Sequence, residues 1–193
     1  TAPLAVAVSS LTLKGVNATV RLLEKTYVFA EAARAERENT SGTGDAARLE
    51  IRHEGKDLQA SAFVARTEAG FDNPGAYICK GRGESGAKAQ WKAGERTTVR
   101  GEVLRTEDVS TNAVRDGLAA SVEQRFENQM AVELGVRHAR ENNGPAIPTG
   151  SLGVPSAGVV PDEVTTARAR LTGPLPFLPG ATIYGEGEVD VED

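Results

Sequence analysis

The sequence has little of what most functional sites and most soluble cores are built from. It contains one cysteine, one methionine, one tryptophan and two histidines in 193 residues, and aromatic residues make up 5% of the chain. A single cysteine, Cys79, excludes an intrachain disulfide and a cysteine-based zinc site. The apolar residues are mostly small, so a dense soluble core of Leu, Ile and Phe is difficult to build.

Long hydrophobic runs and an excess of positive charge are also missing. The longest apolar run, Leu4–Val8, is far too short for a membrane helix, which needs about 20 apolar residues. The sequence begins at Thr1 without methionine, from which we expect a processed form. It contains no charged segment followed by an apolar core, so we expect any signal peptide to have been removed. The net charge is -5 without a basic stripe, which argues against nucleic acid as a partner.

What the sequence does contain is a repeated alternation of apolar and polar residues with a period of two. In Ala47–Glu54, Leu49 and Ile51 fall on one side of an extended chain, and Glu50 and Arg52 fall on the other. Such alternation predicts strands with one apolar and one polar face. Comparable stretches occur at 58–65, 87–92, 97–106, 118–127, 130–137, 166–172 and 182–191.

The connections between these stretches alternate between short and long. Short turns with Gly or Asn are predicted at 54–57, 93–96 and 127–129, and a proline-bounded turn of intermediate length is predicted at 173–180. Long polar connections are predicted at 67–86, 107–116 and 142–163. Short turns at one end of a sheet and long loops at the other are typical of outer-membrane barrels.

These patterns predict an all-β antiparallel up-and-down meander of about 8–10 strands, as a transmembrane β-barrel or a section of one. Residues 1–193 are predicted to be a single β-barrel-type domain, with N-terminal strands of undefined bounds in 1–44 and a hairpin-rich barrel region in 45–193. Within the first part, Tyr27–Glu38 is rich in Ala and Glu, which favour a helix, but we predict a strand there.

The polar face of the predicted sheet is charged, with both signs mixed. Neighbouring strands would place opposite charges across from one another, and in a barrel this face would line a watery lumen while the apolar face meets lipid. The predicted lumen-lining residues are Arg48, Glu50, Arg52, Arg100, Glu102, Glu123, Arg125, Glu133, Arg137, Arg168, Arg170, Glu186 and Glu188.

No motif in the chain predicts catalysis, a cofactor or a metal ion. Gly81–Gly86 has the spacing G-x-G-x-x-G, but a strand-like segment follows where a dinucleotide site needs a helix. His53 and His138 are predicted to be surface or interface residues, because nothing in their spacing brings them to a nucleophile. Paired carboxylates at Glu186 and Glu188 are predicted to be solvated lining, so we expect no enzyme.

Three segments carry a resemblance to a known class of proteins: GRGESGAKAQWKAGERTTVRGEVLRTED at 81–108, SVEQRFENQMAVELGVRHARE at 121–141 and TTARARLTGPLPFLPGATIYGEGEVDVED at 165–193. From Gly70 to Asp193 the chain resembles the barrel region of large Gram-negative outer-membrane proteins. The resemblance covers about two-thirds of the chain and transfers no functional residues. Barrels of that class are usually longer than this chain, which favours a section of a larger barrel.

The resemblance implies a location in the cell outer membrane and a structural role, as a pore or as the anchor of a surface domain. The expected partners are the lipid bilayer or lipopolysaccharide and further barrel segments or subunits. The alternative is a soluble β-rich binding or adhesin module of a bacterial surface protein, because the scarcity of aromatic residues leaves no girdle at the membrane interfaces.

Overall fold

The computed structural model describes residues 10–38, 42–73, 80–142, 163–175 and 181–191, and these residues contain no helix. They form one antiparallel sheet in which ten strands follow one another in chain order. The strands are β1 Leu11–Leu23, β2 Thr26–Arg37, β3 Thr43–Glu54, β4 Leu58–Thr67, β5 Arg82–Lys92, β6 Thr97–Asp108, β7 Val114–Arg125, β8 Ala131–Asn142, β9 Glu163–Pro174 and β10 Thr182–Asp190. The predicted all-β meander is confirmed. The sheet is not closed, since β1 and β10 are its two edges.

The two longest connections lie at the same end of the sheet. The end that we name the turn end carries the connections 24–25, 55–57, 93–96, 126–130 and 175–181. The opposite end, named the loop end, carries the connections 38–42, 68–81, 109–113 and 143–162. The predicted long connection 107–116 is shorter than expected because β6 and β7 continue pairing to Glu107 and Val114.

The segment with helix-forming composition is a strand, as predicted. β2 covers Thr26–Arg37 and pairs with β1 on one side and β3 on the other. The prediction for β5 was wrong at its start, because the strand begins at Arg82 and not at Ala87. Gly83 and Gly86 weaken the local tendency to form a strand, but their backbones pair with β4 and β6, so the sheet determines the conformation.

The strand register separates the side chains into two faces. Glu50 of β3 lies opposite Phe29 of β2 and Phe63 of β4, and the face they share is named the charged face. The other face, named the apolar face, carries Leu49 and Ile51. Apart from Thr26 and Gly173, every buried residue of the described strands lies on the charged face.

A small packed cluster covers the charged face at the loop end of β2 and β3. Phe71 is 1% exposed, and Ala35 of β2, on the same face, is completely buried. A Cβ atom at Gly44 would lie 2.0 Å from the backbone nitrogen of Phe71, so only glycine permits this contact. Asp72, the next residue, forms an ion pair with Arg37 of β2. The start of the β4–β5 connection therefore folds onto the charged face.

This contact generates a stability prediction. Gly44→Val should push the segment around Phe71 off the sheet, since the new side chain overlaps backbone atoms that cannot turn aside. We expect the free energy of unfolding to fall by about 1–3 kcal/mol, the range for overpacked interiors. Urea unfolding measures the loss, and faster trypsin cleavage after Lys80 reports the displaced segment.

The matched control is Gly101→Val on β6, because a Cβ at Gly101 meets nothing within 4 Å. We expect that control to change the free energy of unfolding by no more than about 0.5 kcal/mol. Equal losses in the two variants would contradict the packing of Phe71 against Gly44.

Candidate functional site

All of the residues predicted from the sequence as lumen lining share the charged face. The register places them there on six of the strands: Arg48, Glu50 and Arg52 on β3, Arg100 and Glu102 on β6, Glu123 and Arg125 on β7, Glu133 and Arg137 on β8, Arg168 and Arg170 on β9, and Glu186 and Glu188 on β10. The sheet brings them into one surface, although their side chains reach different partners.

The sheet curls around this surface. A cavity of about 550 Å³ lies against residues from β3 to β9, including Arg52, Lys88, Arg100, Arg137 and Arg168. Neighbouring strands lie about 4.8 Å apart, so these strands would span roughly 29 Å if the sheet were flat. A single cavity can contact all of these strands only if the charged face is concave.

One cluster in this wall is centred on Glu50. Its two carboxylate oxygens accept hydrogen bonds from Arg48 at 3.0 Å and from Arg52 at 2.7 Å. The Arg48 guanidinium lies 4.5 Å from the ring centre of Phe63, and that of Arg52 lies 5.0 Å from Phe29. Each arginine thus has an acid at its tip and an aromatic ring against its plane, an arrangement that fixes both side chains.

A second cluster joins four strands. Glu123 of β7 accepts hydrogen bonds from Arg100 at 2.8 Å and from Arg125 at 2.7 Å. Arg100 also lies 3.7 Å from Glu133 of β8, and Glu133 pairs with Arg170 of β9. Glu123 is only 5% exposed, because arginine side chains cover it from both sides. A buried carboxylate is stable only when it is paired in this way.

The aromatic part of the wall was missed by the sequence analysis. Phe29 and Phe63 fall on the charged face with Tyr27 and Tyr184, and Phe71 packs onto it from a connection. The available signal was the position of Phe63 in alternation with apolar residues, which places it on the polar side of β4. Its partner Arg48 lies on another strand, and only the register reveals that contact.

The apolar face carries an uninterrupted band without a charged residue. We name it the apolar band, and its members are Val16, Ala18, Val20, Val28, Ala30, Ala32, Ala47, Leu49, Ile51, Leu58, Ala60, Ala62, Val64, Ala87, Ala89, Trp91, Val99, Gly101, Val103, Leu118, Ala120, Val122, Val132, Leu134, Val136, Ala167, Ala169, Leu171, Ile183, Gly185, Gly187 and Val189. Most of its large side chains are exposed, and Leu134 is 60% exposed.

Charged residues on the apolar face are confined to the loop end, beyond the band. They form ion pairs between neighbouring strands, such as Lys14 with Glu36 at 3.4 Å and Arg34 with Asp45 at 2.8 Å. Other residues of this rim are Arg66, Arg105, Glu107, Asp116, Arg140 and Glu163. The apolar face is therefore uncharged from the turn end to the middle of the sheet and charged at the loop end.

The two histidines lie on the apolar face, His53 at the turn end and His138 nearer the loop end, and each faces a threonine hydroxyl. Nδ1 of His53 is 2.9 Å from Oγ1 of Thr26, and Nδ1 of His138 is 2.9 Å from Oγ1 of Thr165. No group of three His, Cys, Asp or Glu residues in the described part of the chain is placed to hold a metal ion. The glycine motif 81–86 runs directly into β5, so the element that follows its first glycine is a strand.

The buried pair network generates a second prediction. Glu123→Gln removes the charge that holds Arg100 and Arg125, and we expect the free energy of unfolding to fall by about 1.5–3 kcal/mol, the range for hydrogen bonds to charged groups. Denaturant unfolding in the medium in which the protein folds measures this loss.

Glu127→Gln is the matched control, because Glu127 pairs with Arg96 at 3.0 Å while 83% of the Glu127 side chain is exposed. Exposed pairs contribute about 0–1 kcal/mol, so the control should be nearly neutral. A loss as large as that of Glu123→Gln would argue against a special role for the covered network.

Comparison with protein-family models, with curated proteins and with solved structures found no match. Among the described residues, no helix is long and apolar enough to cross a membrane. The function therefore has to be inferred from the burial and charge of the chain's own residues.

Proposed function

We propose that this chain is a structural protein of a bacterial outer membrane, a transmembrane β-barrel or a section of one, which forms a pore or anchors a surface domain. The observation that carries the proposal is the inverted burial of the sheet. On β8 the side chain of Glu133 is 14% exposed on the charged face, whereas the next residue, Leu134, is 60% exposed on the apolar face. A protein in water arranges these two faces the other way round.

The size of the exposed apolar face supports a lipid environment. Monomeric soluble proteins rarely expose contiguous apolar patches larger than a few hundred Å². The apolar band crosses all ten strands, and Val16, Leu49, Val103 and Val189 are among its exposed members. In lipid this surface meets hydrocarbon, and the hydrophobic effect no longer penalises its exposure.

The band is tallest on β4 and β10. On β4 it runs from Leu58 to Val64, and six steps of about 3.3 Å give roughly 20 Å along the strand. On the other strands it spans five residues, or roughly 13 Å. The apolar belt of outer-membrane barrels is about 25 Å tall. The charged rim at the loop end would then lie among lipid headgroups or lipopolysaccharide, where Arg34 and Arg105 could contact phosphate.

The free edges of β1 and β10 need partners in such an environment. Each unpaired backbone group in hydrocarbon costs several kcal/mol. β1 and β10 run in opposite directions because the meander has ten strands, so these edges suit antiparallel pairing, either with each other or with further strands. Bacterial barrels of one chain have even strand numbers for this reason.

One observation favours the second candidate, a soluble β-rich binding or adhesin module. Trp91 is the one aromatic residue in the apolar band of the described strands, so no aromatic girdle borders the band. Alanine and glycine make up much of the band, and a protein partner could cover such a convex surface of small side chains. The two functions differ in what covers the apolar face.

Detergent dependence tests the proposal directly. Expressed and refolded without detergent, the chain should aggregate, whereas with detergent it should fold and migrate anomalously on electrophoresis unless it is boiled. The reason is the exposed band, which water cannot solvate without cost. A monomeric, soluble protein with cooperative unfolding in plain buffer would refute the membrane proposal and favour the binding module.

A substitution in the middle of the band gives a second test. Val103 lies near the centre of β6 and is 47% exposed. In a bilayer, Val103→Arg should lower the free energy of unfolding by about 2–4 kcal/mol, the cost of arginine near the midplane. Unfolding by urea from lipid vesicles measures this value.

Phe126→Arg is the matched control, since Phe126 is 49% exposed but lies in a connection at the turn end. We expect it to cost about 0–1 kcal/mol, as at a membrane interface. For a soluble module both substitutions are surface changes, and equal small effects would count against insertion of the band in lipid.

A further inference from the structure

Two cations on the wall of the cavity have no ion-pair partner among the described residues. Lys88 of β5 and Arg137 of β8 both line the cavity, and neither lies within 4.0 Å of a described carboxylate. The register places them on one row across the sheet, with Glu102 opposite Lys88 and Ala119 opposite Arg137. Glu102 of β6 and the small Ala119 of β7 lie between them in this row, and both cations line the same cavity.

The acids of the same wall are all engaged. Glu50 is held between Arg48 and Arg52, and Glu54 lies 3.9 Å from Arg52. Glu133 contacts two arginines, as described above, and Glu102 is not free either. Arginine charge therefore offsets the carboxylates, and the net charge that remains open to the cavity is positive.

We infer that the cavity is an anion site, with Lys88 and Arg137 as its charged ligands and with small inorganic or carboxylate anions as its solutes. Ser61 and Ser121 line the same space with hydroxyl groups that can donate to an anion, and Gly135 leaves room beside them. Rings of cationic side chains select anions in pores. The inference rests on the proposed function, because it makes the cavity part of a water-filled path through the sheet.

The test measures the reversal potential of the detergent-folded protein in a planar bilayer under a KCl gradient. We expect its sign to show chloride as the more permeant ion. The double variant Lys88→Gln/Arg137→Gln should move the reversal potential towards potassium, because both open cations are lost. Ser121→Asp should shift it in the same direction, since it adds an anion to the same wall while Lys88 and Arg137 stay in place.

Lys92→Gln is the control, because Lys92 shares the strand and face of Lys88 but does not line the cavity. It should leave the reversal potential unchanged. A potassium preference in the unaltered protein overturns the inference, and so does a double variant that behaves like the unaltered protein or like Lys92→Gln.

Electrophoretic migration before and after boiling separates the two proposals. A heat-modifiable protein that does not conduct, or that prefers potassium, removes the anion site but leaves the membrane proposal intact. If the protein is soluble and its migration does not change on boiling, the membrane proposal is refuted, and the anion site that depends on it is refuted as well.

Discussion

Antiparallel backbone hydrogen bonds hold each strand to its neighbours in the chain, and this ladder decides which side chains share a face. A shift of one residue in any pair would exchange the two faces of a strand. In this sheet such a slip would put Leu134 against the cavity and Glu133 on the apolar face. Both the covered charge network and the apolar band depend on a register that holds across all nine strand pairs.

The charged wall is stable because strand geometry spaces acids and arginines for mutual contact. Side chains two residues apart on a strand point the same way, so Arg48 and Arg52 both reach Glu50. The long side chain of Arg100 on β6 also extends across β7 to contact Glu133 on β8. Water in a concave space solvates the outer parts of these groups, so the desolvation cost stays below that of a dry core.

The sequence predicted the meander and the alternation of faces, because a period of two is a local property. It also predicted the two longest connections, 68–81 and 143–162, which lie at the same end of the sheet. It placed every predicted lining residue on the same side as Glu50, and it identified β2 as a strand despite its composition. It did not find the early start of β5, where pairing overrides two glycines, or the contact of Phe71 with Gly44. Both depend on residues distant in sequence, and so does the concave shape that creates the cavity.

Pairing only between sequence neighbours also sets how the chain can assemble. Every hairpin can form next to the one before it, and such local topologies fold faster than those with distant pairings. The connections differ in the entropy they lose when they close. Compared with the two residues between β1 and β2, the twenty residues 143–162 between β8 and β9 cost about 2 kcal/mol more to close. The joining of β9 and β10 to the first eight strands is therefore the entropically most demanding step of the meander.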